Sequence, residues 1–137
     1  MDKKEAWEKI QELCPGIKED KKLAWMIPQS GEWVLSNITC QRIAARNKIV
    51  VTYDEPIEIL GNIVIKTTAT NTLTGLKIES FGESNSRNTK MQYPIAMAEK
   101  RGHDRAVLKC VDIYTTFYSE SEDSPEYNLS KPKTKEE

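Results

Sequence analysis

The stretch IEILGNIVIKTTATNTLTGLKIESFG, residues 57–82, decides the fold that we predict for this chain. Apolar or β-branched residues alternate with polar ones along three short runs, and this two-residue period is typical of strands with one buried face. Turn signals separate the runs: Gly61-Asn62 follows the first, and TLTG, ending at Gly75, follows the second. Connections this short join antiparallel neighbours. The stretch therefore predicts an antiparallel three-stranded β-meander.

The same alternation assigns the two faces of the meander. We expect its apolar positions, Ile57 and Ile59 in the first strand among them, to face the core. The charged positions should face water, and they are Glu58, Lys66, Lys77 and Glu79. A further two-residue pattern, KIVVTYDEP, comes before the meander and ends at Pro56.

Two shorter helices are predicted before the meander. Residues 2–14 place apolar side chains at helical spacing, and Asp2 is suited to cap the first turn. A second helix should cover about residues 35–47, with Ser36 or Asn37 as its cap. Between these helices, the short run LAWMI is the one strand signal.

A long helix is predicted after the meander, in YPIAMAEKRGHDRAVLKCVDIY, residues 93–114. A polar stretch, residues 82–92, leads into it as a loop, and Pro94 suits the first turn because its missing N–H would be unpaired there. At about 100° per residue, apolar residues such as Ala96 and Val107 share one side. The fold class is therefore α+β: a three-stranded antiparallel meander, a long helix packed across it, and one or two shorter helices before it.

Three cations form a stripe on another side of the long helix. Arg101, Arg105 and Lys109 are spaced four residues apart, and we call them the cationic stripe. Successive cations can meet successive phosphates of a nucleic acid, and arginine can bind a phosphate bidentately. The alternative is a solvated face with Lys100 paired to Asp104. Exposed pairs contribute only ~0.3–0.5 kcal/mol each, so stability alone does not require the stripe.

The single histidine, His103, falls at the edge of the apolar side of this helix, where a core-edge role is expected. Catalysis would need a nucleophile or an orienting carboxylate, and the spacing identifies neither. The chain carries no hydrolase, phosphate-loop or zinc-protease motif, and its cysteines are too scattered for a zinc site. We therefore predict no enzymatic activity, no metal and no other cofactor.

Composition sets the remaining limits. The chain has 137 residues, 38% of them hydrophobic and 30% charged, and a net charge of -1. These values fit one soluble domain and exclude a globally basic nucleic-acid binder, but not a local basic stripe. We expect buried, reduced cysteines, no signal peptide or membrane span, and a cytoplasmic location. The domain should cover residues 1–118, and residues 119–137 should form a disordered tail of acidic, then mixed, charge.

The long helix, with the YSESED that ends at residue 123, resembles the helix and acidic run of small phage and prophage proteins of the single-strand annealing recombinase superfamily. The preceding KIESFGESNSRNTKMQ is similar to their strand and polar loop. The resemblance covers about residues 35–123 and is specific in residues 93–109. It implies a core made of a helix, a three-stranded antiparallel meander and a long helix across the sheet. It also implies a protein that binds single-stranded DNA and anneals complementary strands without ATP or metal.

The resemblance further implies a binding surface and partners. The DNA would lie in a groove between the meander and the long helix, with its phosphates on the cationic stripe of Arg101, Arg105 and Lys109. Further contacts are assigned to Lys100, Arg87 and Lys90, with Tyr93 as a stacking residue. A homo-oligomer, as a ring or filament, is expected, with a phage or host replication or recombination protein as a further partner. Gly102 departs from the pattern, since alanine would favour the helix by about 0.5–1 kcal/mol.

An interaction module is the alternative that the sequence leaves open. In that case the charged helix and the acidic tail would pair with a phage or host protein, and DNA would play no part.

Overall fold

The computed structural model describes residues 1–85 and 94–122, which form three helices and seven strands. In chain order they are α1 (Lys3–Leu13), β1 (Ala24–Met26), β2 (Trp33–Leu35), α2 (Asn37–Arg46), β3 (Ile49–Tyr53), β4 (Ile57–Ile59), β5 (Asn62–Asn71), β6 (Lys77–Ser84), α3 (Pro94–Cys110) and β7 (Phe117–Ser119). The predicted α+β class is confirmed, with α1 and α2 as the shorter helices and α3 packed across the sheet.

The predicted meander forms the centre of the larger sheet. Its middle strand, β5, pairs antiparallel with β6 from Ile63↔Ser84 to Thr70↔Lys77. On its other edge, β5 pairs antiparallel with β4 and then with β3, which lie end to end along it. The first strand of the meander is therefore longer than the sequence predicted, because β3 extends it.

A bulge between β3 and β4 reverses which side chains face the core. Tyr53 lies opposite Thr67 and Ile57 lies opposite Val64. Three residues of this edge, 54–56, are therefore paired with only two residues of β5, 65 and 66. Pro56 lies in this bulge, at a sheet edge, where the N–H that it lacks is not needed for the ladder.

The bulge explains where the predicted faces of the meander are wrong. An extra residue moves every later side chain of that strand to the other face. Ile57 and Ile59 consequently lie on the open face of the sheet, away from α3, and both are exposed. Glu58 lies on the opposite face, whereas Lys66, Lys77 and Glu79 lie on the open face as predicted.

The backbone of α3 lies in direct contact with the backbone of the sheet. A Cβ on Gly82 of β6 would lie 1.8 Å from the Ala98 carbonyl oxygen of α3. A Cβ on Gly102 of α3 would lie 2.1 Å from Thr67 Oγ1 of β5. Glycine at these two positions is therefore a packing requirement, and it accounts for the departure of Gly102 from the helix pattern.

The main core lies between the three helices, the helix-facing side of the larger sheet, and strands β1, β2 and β7. Its members are buried, apolar side chains from all of these elements, among them Trp7, Ile10, Ile43, Leu108 and Phe117. Asp2 caps α1 by accepting from the Glu5 N–H at 2.9 Å, and Ser36 caps α2 by accepting from the Thr39 N–H at 3.1 Å. The three cysteines, Cys14, Cys40 and Cys110, are free and buried, as predicted.

A second, smaller sheet was not predicted beyond its first strand. Its order is β1-β2-β7, with β1 antiparallel and β7 parallel to β2. The β7 strand ends at Ser119, and Ser121 is buried beyond it. Residues 119–122, which we assigned to the tail, therefore belong to the folded part. The predicted tail over residues 123–137, and most of the loop predicted at 82–92, lie outside the described residues.

The Gly102 contact generates a test with an unusual sign. Alanine at a helical glycine normally stabilises, but Gly102→Ala should lower the free energy of unfolding by about 1–3 kcal/mol because the new methyl group has no space. In a Thr67→Ala background, which removes the nearest atom, the cost should be smaller. Urea unfolding measures both.

The exposed residue Ala96, on the same helix, supplies the control. Ala96→Gly should cost about 1 kcal/mol, the ordinary helical difference between the two residues. A Gly102→Ala protein as stable as the wild type, or more so, would contradict the close contact between α3 and the sheet.

Candidate functional site

Arg101 of the cationic stripe lies inside the protein. Its exposed fraction is 2%. Its Nε donates to the Ser121 carbonyl oxygen at 2.7 Å, and its Nη1 donates to the Glu83 carbonyl oxygen at 2.6 Å. Glu83 belongs to β6, which pairs on one side only among the described strands. The guanidinium therefore supplies a donor to a carbonyl at an edge of the sheet that would otherwise be unpaired.

Arg105 binds the same edge one turn further along α3. Its Nη1 donates to the Phe81 carbonyl oxygen at 2.9 Å and to Glu83 Oε2 at 2.6 Å, and its Nε and Nη2 donate to the Glu122 carboxylate. Burial alone would lower the pKa of Arg105, but the hydrogen bonds that it donates to Glu83 and Glu122 outweigh burial, so the pKa is raised. Hydrogen bonding by Arg105 in turn lowers the pKa of the Glu83 carboxyl group.

The prediction that these two arginines form a solvent-exposed stripe is therefore wrong. The helical wheel placed them opposite the apolar side of α3, but α3 is covered on more than one side. Because Gly102 lets the helix lie close to the sheet, the edge of β6 reaches the face that carries Arg101 and Arg105. Their charges are used within the fold.

The remaining predicted contact residues fall into two groups. Lys109 is exposed; its Nζ donates to Ser80 Oγ at 3.0 Å and lies 4.9 Å from the centre of the Tyr114 ring. Lys100 is 37% exposed, and its Nζ lies 3.9 Å from Glu120 Oε1. The other three predicted residues lie outside the described residues; they are Arg87, Lys90 and Tyr93.

Asp104 is the centre of a buried polar network beside the arginines. It is fully buried, yet its Oδ1 accepts from Asn37 Nδ2 at 2.7 Å and from His103 Nδ1 at 2.9 Å. Its Oδ2 accepts from Ser119 Oγ at 2.5 Å, with Ser121 Oγ at 3.3 Å. These donors compensate the carboxylate for the loss of water, and they join α3 to α2 and β7. His103 has the core-edge position expected from the sequence.

Residues 119–122, which we call the strap, bind each of these charged groups. Ser121 accepts from Arg101, Glu122 accepts from Arg105, and Glu120 Oε2 accepts from the Asn37 N–H at 3.1 Å, at the first turn of α2. An acidic group at the N-terminal end of a helix also interacts favourably with the positive end of the helix dipole. The strap therefore fixes α3 and α2 to each other by hydrogen bonds and ion pairs.

The space between the meander and α3 is closed where Gly82 meets Gly102. The contact at Gly82 and Gly102 leaves no room for a side chain, and a DNA strand is far wider than a methyl group. A DNA strand therefore cannot pass between α3 and strands β5 and β6 at this contact.

Two exposed surfaces remain that the sequence reasoning did not single out. One is the end of α2, where Arg42, Arg46 and Lys48 are exposed. The signal for it was present in the sequence, since residues 33–53 contain three cations and no Asp or Glu. The other is the open face of the sheet, where Ile57 and Ile59 on β4 and Phe81 on β6 are exposed.

Metal sites and membrane-spanning helices are both absent from the described residues. No group of three His, Cys, Asp or Glu side chains within them is arranged to bind a metal ion. No helix among them combines the length and the apolar character needed to cross a membrane. No family model, no curated protein and no solved structure matches the chain. Function must therefore be argued from these surfaces and from the resemblance.

The strap can be tested with two shortened chains. A chain that ends at Glu122 keeps the bonds to Arg101, Asp104 and Arg105, and one that ends at Tyr118 loses them. The free energy of unfolding should be at least about 3 kcal/mol lower for the chain that ends at Tyr118 than for the chain that ends at Glu122, because its buried charged groups lose their partners. Equal urea midpoints for the two chains would show that the strap is dispensable.

The Glu83–Arg105 pair should make stability depend on pH. Since the pKa of the Glu83 carboxyl is lowered on folding, its contribution is complete above the unfolded value of about 4.3 and is lost as the pH falls through the lower, folded value. Glu83→Gln should cost about 1 kcal/mol at pH 7, a modest amount because the side chain is 38% exposed.

Unfolding of the wild type and of Glu83→Gln, measured from pH 7 down to about pH 3, should show this difference shrinking towards zero. Glu58→Gln is the matched control, because Glu58 has no ion pair with any described residue. A difference that stays constant over this range would contradict the lowered pKa of Glu83.

Proposed function

We propose that the protein binds single-stranded DNA and anneals complementary strands, as a recombination protein of the phage type that uses neither ATP nor metal. One observation carries the proposal. The described part of residues 93–109, where the resemblance is specific, lies in α3, and α3 lies across an antiparallel meander in the order that the resemblance implies.

The residues of the resembling motif support the relationship at the level of the fold. Ala98 and Gly102 make the backbone contact with β6, and Arg101 and Arg105 bind the carbonyl oxygens at its edge. The pattern that we compared with annealing proteins is therefore the pattern that holds this helix across this sheet. Its use here is to build the fold, and under the proposal the DNA contacts are made by other cations.

The proposal places DNA on the outer surface of the protein. Lys100 and Lys109 keep part of their surface exposed, and the cations at the end of α2 are exposed as well. With a net charge of -1, one subunit offers a polyanion little long-range attraction. Assembly into a ring or filament would line up the cations of many subunits along one strand, and this supports the homo-oligomer as part of the proposal.

Fluorescence anisotropy with a labelled oligothymidylate tests the DNA-binding part. Binding is expected at about 25 mM salt, and the affinity should fall steeply as salt is raised, because phosphate contacts release counterions. The rate at which two complementary oligonucleotides anneal should rise with added protein, equally with and without EDTA and without ATP. Absence of binding at low salt would end the proposal.

Substitution of Arg101 and Arg105 is unsuited to this test. Both side chains bond the edge of β6 and the strap, so their loss would weaken the fold and with it any activity.

A second candidate function is a protein-interaction module, and the open face of the sheet favours it. Ile57, Ile59 and Phe81 are each about half exposed on this face, and a sheet face that exposes several apolar side chains suits a protein contact. The α3 arginines and the strap pair with each other in the fold, so the partner surface moves from the charged helix to the sheet. A chain that stays monomeric on a sizing column with and without oligothymidylate, and binds none, favours this candidate.

A further inference from the structure

The C-terminal end of α2 carries an exposed basic surface. Arg42 and Arg46 are one helical turn apart, and Lys48 follows two residues later; all three are exposed. We call these three residues the α2 cations. Acidic contacts to α2, from Asp104 and Glu120, are made at Asn37, at the other end of the helix.

The α2 cations lie in a segment without acidic residues, since residues 33–53 contain no Asp or Glu. Among the described residues, none of the three forms an ion pair or a side-chain hydrogen bond. In α1, by contrast, Glu5, Glu8 and Glu12 lie among the lysines, and in the following segment Glu19 and Asp20 do. On the sheet, Lys66 pairs with Glu79. An acid-free cluster keeps its positive potential, whereas mixed clusters cancel theirs.

A shallow cleft lies beside two of the α2 cations. It has a volume of about 260 Å³ and is lined by Arg42, Arg46, Ala45 and Ile17, with Cys14 and Gly16. This volume is below the range of about 300–1,000 Å³ that is typical of small-molecule pockets. A cleft lined by apolar residues and two arginines suits a chain that passes over it, with phosphates on the arginines and a base against the apolar residues.

The backbone conformation at Lys48 is a further observation at this surface. Lys48 directly follows the C-cap Asn47, and its φ is 56°, a conformation that glycine adopts without strain. A lysine with this positive φ makes the fold less stable than a glycine at the same position would. A role for its charge outside the fold gives the lysine a reason to be there.

We infer that the phosphate backbone of single-stranded DNA binds along the α2 cations, Arg42, Arg46 and Lys48. This inference rests on the proposed function and names the surface that performs it. Each phosphate contact on a single strand contributes roughly 0.7 to the slope of log K against log salt concentration, where K is the binding constant. Three contacts per subunit therefore give a slope of magnitude about 2.

The test compares two double variants by anisotropy with a labelled oligothymidylate. Arg42→Ala/Arg46→Ala should bind at least about tenfold more weakly at 100 mM salt, and its slope should fall by about 1.4, which is two contacts at roughly 0.7 each. The matched control is Lys4→Ala/Lys9→Ala, which also removes two exposed helical cations, from α1; its affinity should stay within about twofold of the wild type. Circular dichroism and urea unfolding establish that both variants are folded, because all four side chains are exposed.

The outcomes separate this inference from the proposed function. If the wild type binds no oligothymidylate at low salt, the proposed function fails and the inference fails with it. If the wild type binds and the α2 variant binds equally well, or if both double variants lose affinity alike, the inference alone is overturned. A duplex of matched length serves as the other arm, and equal affinity of the wild type for duplex and single strand would also overturn it.

Discussion

The backbone contact between α3 and the sheet, at Gly102 and Gly82, is the constraint on which the rest of the structure depends. Because neither residue has a side chain, the helix lies against β5 and β6 with the Ala98 carbonyl and the Gly102 N–H at the contact. This proximity brings Arg101 and Arg105 alongside the edge of β6, where carbonyl oxygens need donors. The arginines then bind the strap, and the strap binds Asn37 of α2. A side chain at either glycine would push α3 away from all of these partners.

This arrangement divides the positive charge of the protein into two kinds. The α3 arginines are enclosed by a carboxylate from β6, a carboxylate from the strap and backbone carbonyl oxygens, so their charge contributes to folding. The α2 cations have no such partners among the described residues and remain available to a ligand. The helix that looks most basic in the sequence therefore uses its two arginines within the fold, and under the proposal a polyanion binds the α2 cations in preference to Arg101 and Arg105.

Local sequence patterns predicted where the helices and strands lie better than they predicted which side chains are buried. The meander, both early helices and α3 follow from periodicity and turn signals, which are local. The exposure of Ile57 depends on one extra residue in the bulge, and alternation alone does not reveal a bulge. The burial of Arg101 depends on a glycine that reads as a helix defect until the sheet is placed against it. The pairing of Trp33 with Phe117 joins distant parts of the chain, so no local pattern reveals the partner of β7.

The central claim of the proposal is that the α3 arginines stabilise the fold, whereas the α2 cations bind DNA. NMR of the arginine side chains tests it most directly, since each Nε–H group gives its own signal. On addition of an oligothymidylate, the account predicts that the signals of Arg42 and Arg46 shift and those of Arg101 and Arg105 stay in place. Shifts confined to Arg101 and Arg105 would contradict it.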